Sequence, residues 1–332
     1  MFILRELKKK RTIFSFLLGF ILLGLFLYYI DLKEVLAKTR EARLAPLLIA
    51  SFLHYFAYYV RGYRWKKIFH KWDLKASSWI LAKIMLIFQF VDCILPAKIG
   101  DLYGAQLMKA NYGLKRSISL GSIVLWRFLD ALMTVVLCGM ATLFLFGNTV
   151  PSVMMSLFQW WTVLIIGAVV LGALFLYKSH WFSRHLPESV QVLLDAFSEG
   201  VKPDIRTMPA LLISTTVIWL LEAGRFYYVC QSMDLSIGFW AAIIITTSAA
   251  MATAVPFTPS GLGAVEIFMV SVMTLLDFPS GPVLYTVILL DRIVSYWSQI
   301  PAGILTMWIS GYTGMKLWTQ PQEITSEALP RS

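Results

Sequence analysis

Two interrupted apolar stretches decide the fold. The first runs from Ser78 to about Met108 and breaks at Leu95-Pro96-Ala97-Lys98-Ile99-Gly100-Asp101. The second runs from about Phe239 to Leu276 and breaks at Pro256-Phe257-Thr258-Pro259-Ser260-Gly261-Leu262-Gly263. Pro removes a backbone donor and Gly loosens the backbone, so each break is expected to split a helix at membrane depth. The question is whether these segments cross the bilayer or turn back.

The rest of the chain supplies the membrane context. Of 332 residues, 58% are apolar and 14% charged, and the formal charge is +10. Mean hydropathy is +0.70. These values exclude a soluble domain, a disordered chain and a disulfide scaffold. Six further stretches are long and apolar enough to cover roughly 20 residues of hydrocarbon. They are Thr12–Ile30, Leu44–Val60, Ser117–Phe146, Trp160–Tyr177, Met208–Cys230 and Val283–Trp308.

Loop charges favour turning back. With both broken segments re-entrant and the N-terminus inside, twenty of the 29 Lys and Arg residues fall on the cytoplasmic side. Four fall outside: Lys33, Lys38, Arg40 and Arg43. If both segments crossed, the division would be thirteen against eleven. The first partition obeys the positive-inside rule far better. Arg61 and Arg64 are counted here as cytoplasmic loop charges. The outer segment Asp31–Arg43 reads either as a short amphipathic helix or as a solvated connector. The first span is too long for a signal-peptide core and is expected to be an uncleaved anchor. The Lys178–Thr207 stretch reads as the longest polar loop.

This topology is an inverted repeat. The order span, span, re-entrant, span recurs with opposite orientation, in halves of about 12–146 and 160–308. Pro96 and Gly100 are echoed by Pro259 and Gly263, and Asp101 by Glu266. Inverted repeats with broken helices in matching places are an architecture of secondary transporters. The expected fold is an all-α polytopic membrane protein with six transmembrane helices plus two re-entrant helical hairpins. Residues 1–315 form a single membrane domain, and residues 316–332 form a cytoplasmic tail.

Five bases lie within the hydrophobic stretches: Lys83, Lys98, Arg127, Arg225 and Arg292. Six acids accompany them: Asp92, Asp101, Asp130, Glu222, Glu266 and Asp291. Ionisable groups at this depth face a partner or a wet cavity. Arg127 with Asp130, and Glu222 with Arg225, are spaced to pair along one helix. Asp291 and Arg292 are adjacent and need partners elsewhere. The bland reading is a set of structural ion pairs. The functional reading is an anion path, with Lys98, Arg127, Arg225 and Arg292 as phosphate contacts. In that reading Gly100, Gly261 and Gly263 let a headgroup approach the backbone. Asp101, Asp130, Glu222, Glu266 and Asp291 would gate, position the bases, bind a cationic headgroup or carry protons. Cys93, Cys138 and Cys230 read as core residues. His54, His70, His180 and His185 show no metal-ligand spacing, so no metal is expected. The sequence carries no glycine-rich phosphate loop and no nucleophile elbow, and no cofactor is expected.

The Arg61-Gly62-Tyr63-Arg64-Trp65 motif, the two break motifs, Leu290-Asp291-Arg292 and Tyr296-Trp297 together resemble the lysylphosphatidylglycerol synthase transmembrane, flippase-like family. The resemblance covers about residues 5–315. It implies lipid translocation across the bacterial inner membrane; the charge partition puts both termini on the cytoplasmic side. Lys98 stands where the family often has Arg, and Tyr103-Gly104 where it often has a further Arg. These departures leave room for a substrate other than lysyl-phosphatidylglycerol. The synthase's aminoacyl-transferring domain is absent from this sequence, so no synthase activity is expected.

The function expected is therefore a flippase for a phospholipid or a polyprenyl-phosphate-type lipid, not an enzyme. Its partners would be membrane lipids with anionic or phosphate headgroups, not nucleic acid. The alternatives are an integral membrane transferase acting on a lipid phosphate, or a non-catalytic membrane scaffold.

Overall fold

A computed structural model of the chain describes residues 10–96, 98–147, 188–253 and 258–311, with isolated helical positions at Ser156, Gln159, Val163 and Gly167. The expected Trp160–Tyr177 span lies outside the described residues except at two of those positions, and the 316–332 tail lies wholly outside them. All regular structure among the described residues is helical.

Helix α1 (Lys10–Tyr29) leads into α2 (Leu32–Thr39). Asp31 caps α2, its side chain accepting the Glu34 N–H at 3.1 Å. Val35 is buried, and its carbonyl accepts the Thr286 hydroxyl at 3.3 Å. Of the two readings of this segment, the helix is the one that forms, and it is docked rather than solvated.

Helix α3 (Leu44–Ile68) does not stop at Val60. It continues for two further turns because Arg61 and Arg64 find carboxylates inside the protein. Counting these two as cytoplasmic loop charges is therefore incorrect. The basic Lys66 and Lys67 in its last turn suit the negative end of the helix dipole. At Gly62 a side chain would collide with the Ser78 carbonyl and the Ala82 backbone, so α3 crosses the next helix at backbone contact.

Helices α4 (Ser78–Ile94) and α5 (Ile99–Tyr112) form a hairpin across the first break. Lys98 takes the left-handed conformation there, with φ +54°. The Gly100 N–H donates to Asp92 Oδ1 at 2.7 Å, and a Cβ at Gly100 would strike the Phe88 carbonyl. The second break builds the matching hairpin from α9 and α10. These two helices follow α6 (Arg116–Phe146), α7 (Glu188–Val201) and α8 (Met208–Ser232). Helix α9 (Phe239–Thr253) packs against α10 (Ala264–Leu275), with a 3-10 turn at Pro259–Gly261 between them. Ser260, Gly261 and Gly263 all have positive φ. The segment read as the longest polar loop thus contains α7, which lies on α6 through mutual glycine contacts at Gly121 and Gly200.

The last apolar stretch is α11 (Pro282–Arg292), a π-turn at Ile293–Trp297, and α12 (Gln299–Ser310). The Ser298 N–H reaches back to the Ile293 carbonyl at 2.9 Å. Pro301 lacks the N–H that would continue the ladder, which accounts for the irregular turn just before it.

Two apolar cores result. One joins α3 to α6 around Trp65, Phe88, Leu107 and Leu129. The other joins α1, α8, α9, α10 and α11 around Phe226, Ile244, Met269 and Val287. Helix α3 packs along α8 between them. A small seam of Cys93, Leu262 and Tyr296 brings the two hairpin tips together. Across it, the Ser260 hydroxyl donates to the Asp92 carbonyl at 3.2 Å and the Tyr296 hydroxyl to the Cys93 carbonyl at 2.9 Å.

By length and composition, the runs Arg116–Phe146 and Val190–Ser232 can each cross a bilayer. The Thr12–Tyr28 and Leu32–Thr39 pair, bent by 85°, is a third candidate. Helix α3 is diluted by His54, four Tyr and its Arg residues, and α11–α12 is divided by the π-turn.

Candidate functional site

The hairpin tips and the long helices enclose a cavity of about 570 Å³, within the range of ligand sites. Helix α3 lines it with His54, Tyr58 and Arg61, at i, i+4 and i+7 on one helix face. Lys98 and Asp101 enter from the first hairpin, and Ser260 from the tip of the second. Arg127 and Asp130 come from α6, Glu222 and Arg225 from α8, and Asp291 and Arg292 from α11.

Most of these charges are held in pairs. Arg127 grips Asp101 with two bonds, at 3.0 and 2.7 Å, and its guanidinium lies 3.7 Å from Asp92. Arg292 Nε donates to Glu266 at 2.9 Å. The Asp101–Arg127 and Glu266–Arg292 pairs each join residues 26 apart in sequence. Arg64, fully buried, makes a two-pronged bond to Asp130 at 2.5 and 3.0 Å and a third to Thr215 at 2.9 Å. Arg225 binds Asp291. The Arg64–Asp130 and Arg225–Asp291 pairs each join residues 66 apart. Between them sits Glu222, which accepts from Arg61 at 2.6 Å and from Arg225 at 2.9 Å.

The bases Arg61, Arg64, Lys98, Arg127, Arg225 and Arg292 thus face the acids Asp92, Asp101, Asp130, Glu222, Glu266 and Asp291. The cluster balances in charge. Lys98 stands apart from the pairing. It lines the cavity, its carbonyl accepts the Asp101 N–H at 3.1 Å, and its amine makes no hydrogen bond or ion pair within 4 Å among the described residues. Arg292 Nη2 and Glu266 Oε2 are buried and likewise lack hydrogen-bond partners among the described residues.

Several expectations hold. Glu222 and Arg225 pair along one helix, and Asp291 and Arg292 find partners on other helices. Others need correction. Arg127 does not pair with Asp130: Asp130 is taken by Arg64, which reaches it from α3, and Arg127 turns to Asp101. Gly100, Gly261 and Gly263 do not line the cavity. Gly100 permits hairpin contact, Gly261 turns the chain at φ +74°, and Gly263 lets the tip meet Leu22 of α1. Glu266 does not line the cavity either, and its carboxylate bonds Arg292, which does. Lys83 is outside this network, its amine 5.8 Å from the Trp79 ring. Arg61, Arg64 and His54 were not picked out as site residues from sequence. For Arg61 and His54, the 54/58/61 helical stripe was the available signal. Among the described residues, no group of three or more His, Cys, Asp or Glu is placed to hold a metal ion.

Burial makes these pairs costly to break singly. Arg292→Met would leave the Glu266 carboxylate unpaired in the protein, at a cost of about 3–5 kcal/mol. Removing both charges with Glu266→Met/Arg292→Met is expected to cost less than either single change, which thermal melts of the four proteins in detergent would show as a coupling energy.

Compared with known proteins, residues 12–303 match the family described as the lysylphosphatidylglycerol synthase TM region. The UPF0104 membrane protein MJ1078 of Methanocaldococcus jannaschii is 24% identical over 223 residues, which is 66% of this chain and 94% of that protein. Glycosyltransferase AglD of Haloferax volcanii is 24% identical over 135 residues, 41% of this chain and only 22% of that protein. No solved structure matches.

Proposed function

The chain belongs to the lysylphosphatidylglycerol synthase transmembrane-region family and is a multi-pass membrane protein, and from that premise we propose that it moves lipids with anionic or phosphate headgroups across the bilayer. A phospholipid or a polyprenyl-phosphate-type lipid would pass its headgroup through the charged cavity while its acyl chains stay in the membrane. The observation that carries this reading is Lys98. Among the described residues its amine has no ion-pair partner within 4 Å, and it lines a cavity whose arginines are each matched by a carboxylate.

The two hairpins would be re-entrant and enter from opposite faces as the gates of an inverted repeat. The repeated separations of 26 and 66 residues support this, as do the two cores and the meeting of the tips. With Arg61 and Arg64 removed from the loop count, eighteen loop bases remain inside against four outside, so the orientation argument stands. In this scheme Asp101–Arg127 holds one gate and Glu266–Arg292 the other, while Arg61–Glu222 sits between the halves. Opening either gate means exchanging a carboxylate partner for the headgroup phosphate, a ligand that suits the planar guanidinium.

A transferase would need its acids exposed together beside a donor site. Asp101 lines the cavity and Glu266 does not, and each is held by an arginine. A scaffold would need no cavity and no unpaired cation. Mass spectrometry of lipids co-purified with the protein tests the transport reading. Enrichment of anionic over zwitterionic lipids relative to the host membrane is expected, and a profile matching bulk lipid would contradict it.

A further inference from the structure

Resting on the reading that an anionic headgroup enters the cavity, we propose that His54 takes up a proton as the headgroup binds, so that lipid and proton cross together. The cavity cluster is already balanced, so a singly charged headgroup adds one negative charge in a setting of low dielectric, where an uncompensated charge is costly. A proton is the simplest compensation, and His54, taken as neutral before lipid binds, is the imidazole among the described lining residues that can receive it.

His54 is buried and lines the cavity. Its Nδ1 lies 3.5 Å from Glu222 Oε2, and its Nε2 lies 3.3 Å from the Gln299 amide nitrogen. Helix α8 also brings Arg225 to that carboxylate, α3 brings Arg61, and Asp291 of α11 stands behind Arg225. On its own helix the rings of Tyr55 and Tyr58 meet the imidazole edge-on. The carboxylates are poorer acceptors. Asp101, Asp130, Glu222, Glu266 and Asp291 each hold an arginine, and Asp92 does not line the cavity.

The hydrogen bonds also say where the proton goes. In the tautomer in which Nε2 accepts from the Gln299 amide, the ring hydrogen sits on Nδ1, 3.5 Å from Glu222. A proton from water forms a new N–H bond at Nε2 and gives an imidazolium, leaving the negative charge of the headgroup balanced. Gln299 must then rotate to offer its carbonyl oxygen. That oxygen now accepts from the Cys93 thiol at 3.3 Å, next to the seam where Ser260 and Tyr296 tie the two tips together. Protonation would therefore be felt at the contact between the gates.

The test uses the full chain in detergent and dihexanoyl-phosphatidylglycerol, a phosphodiester that keeps one negative charge throughout the neutral pH range. Calorimetry in buffers of differing ionisation enthalpy is expected to show uptake of about one proton per lipid bound, with affinity falling about tenfold per pH unit on the alkaline side. His54→Gln should bind without proton uptake and with a flat pH profile. Nitrogen-15 spectra of the wild-type histidines should show His54 passing from the Nδ1–H form to the imidazolium on binding, which tests the idea even if the variant does not fold. Binding without uptake in the wild type, or uptake that persists in His54→Gln, overturns the proton role and leaves the anionic-lipid reading standing. Failure to prefer phosphatidylglycerol over phosphatidylcholine, or equal binding of the deacylated glycerophosphoglycerol, overturns the lipid reading and the proton role with it.

Discussion

Glu222→Ala is expected to lose about 3–5 kcal/mol of stability, the range measured when one partner of a buried ion pair is removed. Glu222 accepts from Arg61 and Arg225 and lies 3.5 Å from His54. Its removal leaves Arg61 with no ion-pair partner within 4 Å among the described residues and Arg225 with Asp291 alone. Against a total stability of about 5–15 kcal/mol, that is about a fifth or more of what holds the fold together. Glu222→Gln keeps an acceptor oxygen and should fall between the two. Asp195, exposed on α7, is the control, and Asp195→Ala should stay within about 0.5 kcal/mol of the wild type. Thermal melts would read all three, and a Glu222→Ala melt close to the wild type would show that the central cluster is not structural.

The second large effect runs in the opposite direction for stability. Lys98 holds φ +54°, a conformation that costs a non-glycine residue about 1–2 kcal/mol. It stands two residues after Pro96, as Gly261 stands two after Pro259, and there the chain uses glycine for the same left-handed turn. A strained residue with an unpaired charge is the mark of a position kept for use rather than for packing. Lys98→Gly is therefore expected to raise the melting temperature while reducing transport of an anionic lipid at least about tenfold, the loss of one charged contact. Lys98→Gln should lose transport without the gain in stability. A Lys98→Gly protein that transports at the wild-type rate would remove this amine from the path.

The two breaks were legible in the sequence because Pro and Gly act locally, and the helix starts at Leu44 and Met208 were legible from hydropathy. The end of α3 was not. Arg61 and Arg64 look like loop charges to any local measure, and only partners 161 and 66 residues away make them interior. The same reason undid the Arg127–Asp130 pairing, since a neighbour on one helix competes with carboxylates brought by another. The glycines of the breaks stand at turns and close contacts and are not in the cavity lining. Their lack of a side chain serves backbone turns and helix contact, which a sequence cannot distinguish from room for a ligand. Helix α7 is not legible as a packed helix because it meets α6 by backbone contact at Gly121 and Gly200, while Val190, Val192 and Leu193 are exposed.

The central claim is that an anionic lipid crosses through this cavity. Its most direct measurement is a leaflet-exchange assay in phosphatidylcholine vesicles carrying the purified protein and a trace of headgroup-labelled phosphatidylglycerol, with a membrane-impermeant quencher added outside. Label in the inner leaflet is expected to become accessible with the wild type and to stay protected with Lys98→Gln. Protection that is the same with the wild type, with Lys98→Gln and with no protein at all would contradict it.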